Sequence, residues 1–124
     1  MQFTDLHLDF NYQVGSSNKC RDMLCCYAEW GFPNSIEDAA GIYGDYNCDT
    51  PVDLLYSMGE YIKKEVKPDA IFWTGDVSPH DQWKYTPDSV MSYEKFLSDY
   101  MKANFTDYSV HVLEGNHDFP TINS

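Results

Sequence analysis

Apolar and polar positions along the chain predict three short strands separated by two helices. Apolar runs of strand length occur at residues 1–5, 70–73 and 109–113. In the two stretches that precede the second and third runs, apolar residues recur every three or four positions, which is the spacing of one helix face. The order is therefore strand, helix, strand, helix, strand, and right-handed crossovers would make the sheet parallel.

The first predicted helix begins near Thr50 and Pro51 and stops at Pro68. Thr50 can cap the helix, and Pro51 suits the first helical position. Gly59 should weaken the helix interior slightly. One face carries the apolar residues Val52, Leu55, Met58, Ile62 and Val66.

The second predicted helix opens at Pro87 and ends before Asp107. Its apolar face carries Val90, Tyr93, Leu97, Tyr100 and Met101. Between the first strand and the first helix, residues 6–50 form a long segment without clear periodicity, apart from one possible helical turn within 28–40. A loop of that length is usually functional or cross-linked.

Four cysteines lie in this irregular segment, at Cys20, Cys25, Cys26 and Cys48. Their even number and clustering predict two disulfides, with the adjacent cysteines in different bridges. A zinc ribbon is the alternative, but it needs paired C-x-x-C spacing, which is absent. Disulfides imply an oxidising compartment, and Asn104-Phe105-Thr106 is a glycosylation acceptor sequence that agrees with one.

The length, composition and net charge of the chain describe one small acidic domain with a hydrophobic core. The chain has 124 residues, of which 43% are apolar, and a formal net charge of -12. Such a charge disfavours a nucleic-acid-binding surface, because phosphates would be repelled. The sequence predicts no transmembrane segment and shows no secretory leader. We expect residues 1–124 to be a single partial domain, truncated at both ends.

Polar side chains follow each of the three predicted strands. Asp5 and His7 follow the first strand, Asp76 follows the second, and Asn116 with His117 follows the third. Side chains at the carboxyl ends of parallel strands meet at one edge of a sheet, where open α/β sheets hold their ligands. Carboxylate and imidazole groups are common ligands of zinc, iron and manganese. The sequence therefore predicts a shared metal site.

The motifs D-x-H, G-D and G-N-H-D, in that order, resemble the calcineurin-like metallophosphoesterase family. Together with the cysteine cluster and the segment His80-Asp81-Gln82-Trp83, they look like its acid sphingomyelinase branch. The resemblance implies an α/β fold, in which this chain supplies a parallel βαβαβ portion of the metallophosphoesterase α/β sandwich. It also implies a disulfide-rich loop after the first strand.

The resemblance further implies two divalent metal ions, with zinc as the expected metal. Asp5 and His7 would bind the first ion, Asp76 would bridge both, and Asn116 would bind the second through its side-chain oxygen. The family completes this site with three further histidines, which this chain lacks. We therefore expect weak metal binding and little turnover from the chain alone. His111, inside the third strand, is interpreted as structural.

Two histidines are candidate catalytic groups by the same resemblance. His80 would steady phosphate oxygens, and His117 could protonate the leaving alkoxide. Asp81 or Asp118 could orient a neighbouring histidine.

The implied reaction is metal-dependent hydrolysis of a phosphodiester, with a sphingomyelin-type lipid as the first candidate substrate and nucleotides as a close alternative. The rival hypothesis is a non-catalytic, disulfide-stabilised binding module. The resemblance also implies a secreted or lysosomal protein and the bridges Cys20–Cys25 and Cys26–Cys48.

Overall fold

A three-stranded parallel sheet lies at the centre of the protein. The computed structural model describes residues 1–84 and 86–118. Strand β1 spans Gln2–Phe3, β2 spans Ala70–Trp73 and β3 spans Ser109–Val112, in the spatial order β1-β2-β3. Phe3 pairs with Trp73, which in turn pairs with Val112. The predicted α/β class and the parallel arrangement are confirmed.

Two helices cross between the strands. Helix α1 spans Val52–Tyr61, and α2 spans Pro87–Asn104. At the start of α2, the Thr86 hydroxyl accepts a hydrogen bond from the backbone of Ser89, whose side chain in turn accepts from the backbone of Thr86. The cap predicted for α1 is wrong by one residue, because Pro51 is the N-cap and makes no side-chain cap bond.

The last turn of α1 departs from α-helical geometry. Residues Ile62–Val66 form a π-helical turn, closed by a 3.0 Å bond from the backbone N–H of Lys67 to the carbonyl of Ile62. A π turn holds more residues than an α turn, so the following side chains rotate off the original face. Val66 is consequently 44% exposed and does not belong to the buried face predicted for it.

Both helices cover the same face of the sheet. Side chains alternate between the two faces of a strand, and Ile71 and Trp73 point into the core while Phe72 is exposed. His111 stacks on Phe72 on that exposed face, which fits its predicted structural role. The core comprises Leu6, Leu8, Leu55, Ile62, Ile71, Trp73, Val77, Tyr93, Leu97, Met101 and Phe105.

The segment between β1 and α1 is irregular and cross-linked, as predicted. It contains two short 3-10 turns, Ala28–Trp30 and Ile36–Asp38. Two disulfides join Cys20 to Cys25 and Cys26 to Cys48, so no thiol is left for a zinc ribbon. Among the described residues, no helix has the length and apolar character that crossing a membrane requires.

Gly59 in α1 has a packing role that the sequence did not reveal. A Cβ atom at Gly59 would lie 1.8 Å from the Tyr100 hydroxyl oxygen and 3.0 Å from its ring carbon Cζ. The missing side chain therefore allows α2 to place Tyr100 against α1. The same hydroxyl lies 3.4 Å from the carbonyl oxygen of Leu55 and donates to it.

We expect Gly59→Ala to lower the free energy of unfolding by about 1–2 kcal/mol, because the added methyl group overpacks against Tyr100. Urea unfolding measures the change. In a Tyr100→Phe background, where the clashing hydroxyl is absent, the same substitution should cost about 1 kcal/mol less. Helix propensity alone predicts that Gly59→Ala stabilises the chain. Stabilisation by this single substitution would contradict the packing role of Gly59.

Helix α2 also places a carboxyl group, that of Glu94, near Asp118 at the carboxyl end of the sheet. The Oε1 atom of Glu94 is buried and has no hydrogen-bond partner among the described residues. Burial, with the nearby charge of Asp118, raises the pKa of Glu94 to about 7. The folded state therefore binds a proton at Glu94 more tightly than the unfolded chain does.

A raised carboxyl pKa stabilises the fold below the unfolded pKa and loses that contribution as the pH rises through the folded value. We expect the free energy of unfolding to fall between about pH 5 and pH 8. Glu94→Gln should flatten this dependence and be more stable than the unchanged chain at the upper end, whereas the exposed control Glu29→Gln should not. Urea unfolding across this pH range checks both, and an unchanged slope in Glu94→Gln would refute the assignment.

Candidate metal centre

Three predicted ligands converge where the chain leaves β1 and β2. One ligand atom each from Asp5, His7 and Asp76 lies within 4.8 Å of the others. The backbone N–H of Asp5 donates to the carbonyl of Gly75 at 3.1 Å, and that of His7 donates to the carbonyl of Asp76 at 3.0 Å. Pairing between these segments thus continues past the strands and brings the ligands together.

All three of these residues have left-handed backbone conformations. Their φ angles are 53° at Asp5, 41° at His7 and 55° at Asp76. This region is uncommon for residues other than glycine, and such conformations cost roughly 1–3 kcal/mol each. Strained residues cluster at functional sites because the surrounding structure holds them there.

The His7 ring is held through its Nδ1 atom in an orientation that suits metal binding. Its Nδ1 atom lies 2.8 Å from the carbonyl oxygen of Ser78. Because a carbonyl only accepts, Nδ1 carries the hydrogen and Nε2 keeps a lone pair. That Nε2 lies 3.9 Å from Asp5 Oδ1. A neutral imidazole fixed through its other nitrogen, beside two carboxylates, fits a divalent cation.

Two further imidazole rings lie against His7. The ring centroid of His80 is 3.8 Å from that of His7, and the centroid of His117 is 4.9 Å from His7 and 5.2 Å from His80. Burial lowers the pKa of His117, and the positive charge that His7 can carry lowers it further. Protonating His117 therefore requires more acidic solution than an ordinary histidine does.

The loops after β2 and β3 touch through two glycines. A Cβ atom at Gly75 would lie 2.0 Å from the backbone nitrogen of Gly115, and one at Gly115 would lie 2.2 Å from Asp76 Oδ1. The same Oδ1 accepts a 2.8 Å hydrogen bond from the backbone N–H of His117. Glycine is needed at both positions because backbone meets backbone there.

Asp118 joins these loops through backbone hydrogen bonds. Its Oδ2 accepts from the N–H groups of Asp76 at 2.8 Å and Gly115 at 2.6 Å, and its Oδ1 accepts from Val77 at 2.9 Å. These three hydrogen bonds give Asp118 a structural role at the contact between the loops, and its orientation of a neighbouring histidine stays a prediction.

The carboxylate that holds His80 is Asp49, not the predicted Asp81. Asp49 Oδ1 lies 2.7 Å from His80 Nδ1, and its Oδ2 accepts from the His80 backbone N–H at 2.6 Å. Asp81 Oδ2 instead lies 3.8 Å from the ammonium group of Lys84. Asp49 belongs to no motif, and the only available signal was its position directly after Cys48.

Asn116 opens the 3-10 turn Asn116–Asp118 after β3, and it is exposed. Its sequence position beside His117 keeps it at the same end of the sheet. Its role as a ligand of a second ion stays a prediction.

Comparison with known proteins places these features in a family. A sequence model of the family described as calcineurin-like phosphoesterase matches residues 1–123. The chain is 36% identical over 127 aligned positions to sphingomyelin phosphodiesterase B of Dictyostelium discoideum, an alignment that covers 100% of this chain and 20% of the relative.

Two animal relatives show similar coverage. The human sphingomyelin phosphodiesterase is 31% identical over 98% of this chain and 19% of its own length. The mouse acid sphingomyelinase-like phosphodiesterase 3b is 38% identical over 94% of this chain and 24% of its own length. The chain thus spans about a fifth to a quarter of these relatives. With the family match extending over almost every residue, the chain belongs to the calcineurin-like phosphoesterase family.

Proposed function

We propose that this chain forms part of a zinc-dependent phosphodiesterase that hydrolyses sphingomyelin-type phosphodiesters. The observation that carries the proposal is the convergence of Asp5, His7 and Asp76 beside the rings of His80 and His117. Metal ligands and proton-carrying groups in one place are what hydrolysis of a phosphate ester requires.

The proposed substrate class rests on the relatives of this chain, which include sphingomyelin phosphodiesterases. Because the chain spans only part of those proteins, their activity supports the proposal but is not itself an observed activity of this chain. Nucleotide phosphodiesters are the second candidate substrate. The chemistry of the cluster favours an enzyme over a non-catalytic binding module, since a purely structural loop needs no strained carboxylates beside three imidazoles.

Asp5 and His7 would hold the first ion, Asp76 would lie between two ions, and Asn116 would hold the second. Divalent ions bound there would supply Lewis-acid chemistry, polarising phosphoryl oxygens and lowering the pKa of an attacking water. His7 contributes a neutral Nε2 because Ser78 fixes the hydrogen on Nδ1. With residues 1–124 as one part of a larger site, we expect the second ion to be held weakly.

His80 and His117 would act on the phosphate group itself. His80 would hydrogen-bond a phosphate oxygen, and protonated His117 would transfer its proton to the leaving alkoxide oxygen. The lowered pKa of His117 makes the protonated form scarce at neutral pH. The proposed proton donor therefore favours hydrolysis in acidic solution.

An oxidising compartment, secreted or lysosomal, is proposed from the two disulfides. Glycosylation of Asn104 stays a prediction. Its amide nitrogen donates to the Tyr100 carbonyl at 2.9 Å, and its Oδ1 accepts from Lys63 at 3.1 Å. A glycan at Asn104 would have to preserve or replace these contacts.

We expect the chain to hold no more than about one zinc ion after dialysis against a metal-buffered solution. Asp76→Asn should weaken zinc binding at least 10-fold, since even substitutions behind the ligands cost about 10–100-fold. The matched control is His111→Gln, which removes a histidine on the exposed face of the sheet, away from Asp5, His7 and Asp76. This variant should bind zinc normally. Elemental analysis and zinc titration measure these values, and tight binding that survives Asp76→Asn would disprove the central assignment.

Zinc-dependent hydrolysis of bis(p-nitrophenyl) phosphate should be slow but measurable, and it should disappear in Asp76→Asn. On a phosphodiester with an alkyl leaving group, His117→Ala should lower the rate by about 10²–10⁴-fold, because the departing alkoxide loses its proton donor. On bis(p-nitrophenyl) phosphate it should change the rate little, because p-nitrophenolate leaves without a proton. His111→Gln should match the unchanged chain. Comparing a choline phosphodiester with a nucleotide phosphodiester then separates the two substrate classes. Equal rates for His117→Ala and the unchanged chain on the alkyl phosphodiester would remove His117 from the mechanism.

A further inference from the structure

Asp49 makes a two-point contact with His80. One carboxylate oxygen accepts from the His80 backbone N–H at 2.6 Å, and the other lies 2.7 Å from its Nδ1. The Asp49 side chain is 7% exposed, whereas that of His80 is 45% exposed. The carboxylate is thus fixed inside the protein, while the ring that it contacts reaches the surface of the site.

The chain holds Asp49 from both sides. Cys48, directly before it, is bonded to Cys26, which is fully buried. Thr50, directly after it, donates its N–H to the carbonyl of His7 at 3.0 Å and accepts from the N–H of Asp9 at 2.8 Å. The Cys26–Cys48 bridge and the ligand-bearing segment therefore fix Asp49 between them.

We infer that Asp49 is the positioning residue for His80, and that the Cys26–Cys48 disulfide holds Asp49 in place for this purpose. An ionised carboxylate only accepts hydrogen bonds, so it requires the hydrogen on Nδ1 of a neutral His80 ring. Nε2 is then the nitrogen that can take up a proton and, once protonated, donate a hydrogen bond to a phosphate oxygen. The cross-linked segment thereby determines which nitrogen of the His80 ring carries the hydrogen, although His80 lies 31 residues after Asp49 in the chain.

This inference extends the role proposed above for His80, but it is testable without zinc or substrate. The chain has four histidines. In ¹⁵N-histidine-labelled, metal-free protein at about pH 8.5, where ordinary imidazoles are neutral, two-bond ¹H–¹⁵N correlation spectra report which nitrogen of each ring carries hydrogen. The His80→Gln spectrum assigns the His80 signals by their loss. We expect His80 to be almost entirely in the Nδ1–H form.

Asp49→Asn gives the sharpest test because its effect should be a reversal. The amide carbonyl oxygen can accept from the His80 backbone N–H, which turns the NH₂ group toward Nδ1. Nδ1 must then accept, and the hydrogen moves to Nε2. We expect the Nδ1–H form to become the minor one in Asp49→Asn and a mixture in Asp49→Ala, with the His111 pattern unchanged in both.

The disulfide is tested by a matched pair of variants. Cys26→Ser with Cys48→Ser should convert His80 to a tautomer mixture, whereas Cys20→Ser with Cys25→Ser should leave it in the Nδ1–H form. A mixed or Nε2–H pattern in the unchanged chain would overturn the inference, even if every variant failed to fold. Nδ1–H retained in folded Asp49→Asn would overturn it as well. Neither result depends on zinc binding or hydrolysis, so failure of this inference would leave the proposed function to be tested by its own experiments.

Discussion

The contact between the Gly75 and Gly115 loops is the constraint on which the site depends. Backbone meets backbone there, at a distance that excludes any side chain. The Asp118 carboxylate holds the contact by accepting from three backbone N–H groups, one of them that of the predicted ligand Asp76. An ionised acceptor is suited to this position, because hydrogen bonds to a charged group are about twice as strong as neutral ones. The ends of β2 and β3 are thereby brought into one site.

Buried leucine side chains next to the left-handed residues of the site hold this part of the backbone in place. Leu6 and Leu8 flank His7 in sequence and are both buried, whereas Asp5 is exposed. Burial of a leucine side chain contributes roughly 1.5–3 kcal/mol, which is comparable to the cost of the strained conformations beside it. The backbone bond from His7 to Asp76 adds a second restraint. Apolar packing thus stabilises a backbone path that the ligands themselves would not favour.

The sequence predicted the features that depend on local pattern. The strand at 70–73, the two helices and the polar residues after each strand follow from periodicity and position, and the structure brings Asp5, His7 and Asp76 together as expected. The π turn that exposes Val66 and the packing of Gly59 against Tyr100 were missed, because each depends on how the chain meets a distant element. Asp49 was missed for the same reason.

Hydrogen bonding separates the carboxylates that build this site from those that can bind a cation. The chain has 20 acidic residues, so charge alone identifies no ligand. Asp118 accepts from three amides and Asp49 from an amide and an imidazole, which commits both oxygens of each. Asp76 accepts the His117 amide through Oδ1 alone, and Asp5 remains largely exposed beside His7 Nε2. A cation at this site needs carboxylate oxygens that can face it, and the two carboxylates that keep an oxygen available, those of Asp5 and Asp76, belong to residues with left-handed backbones.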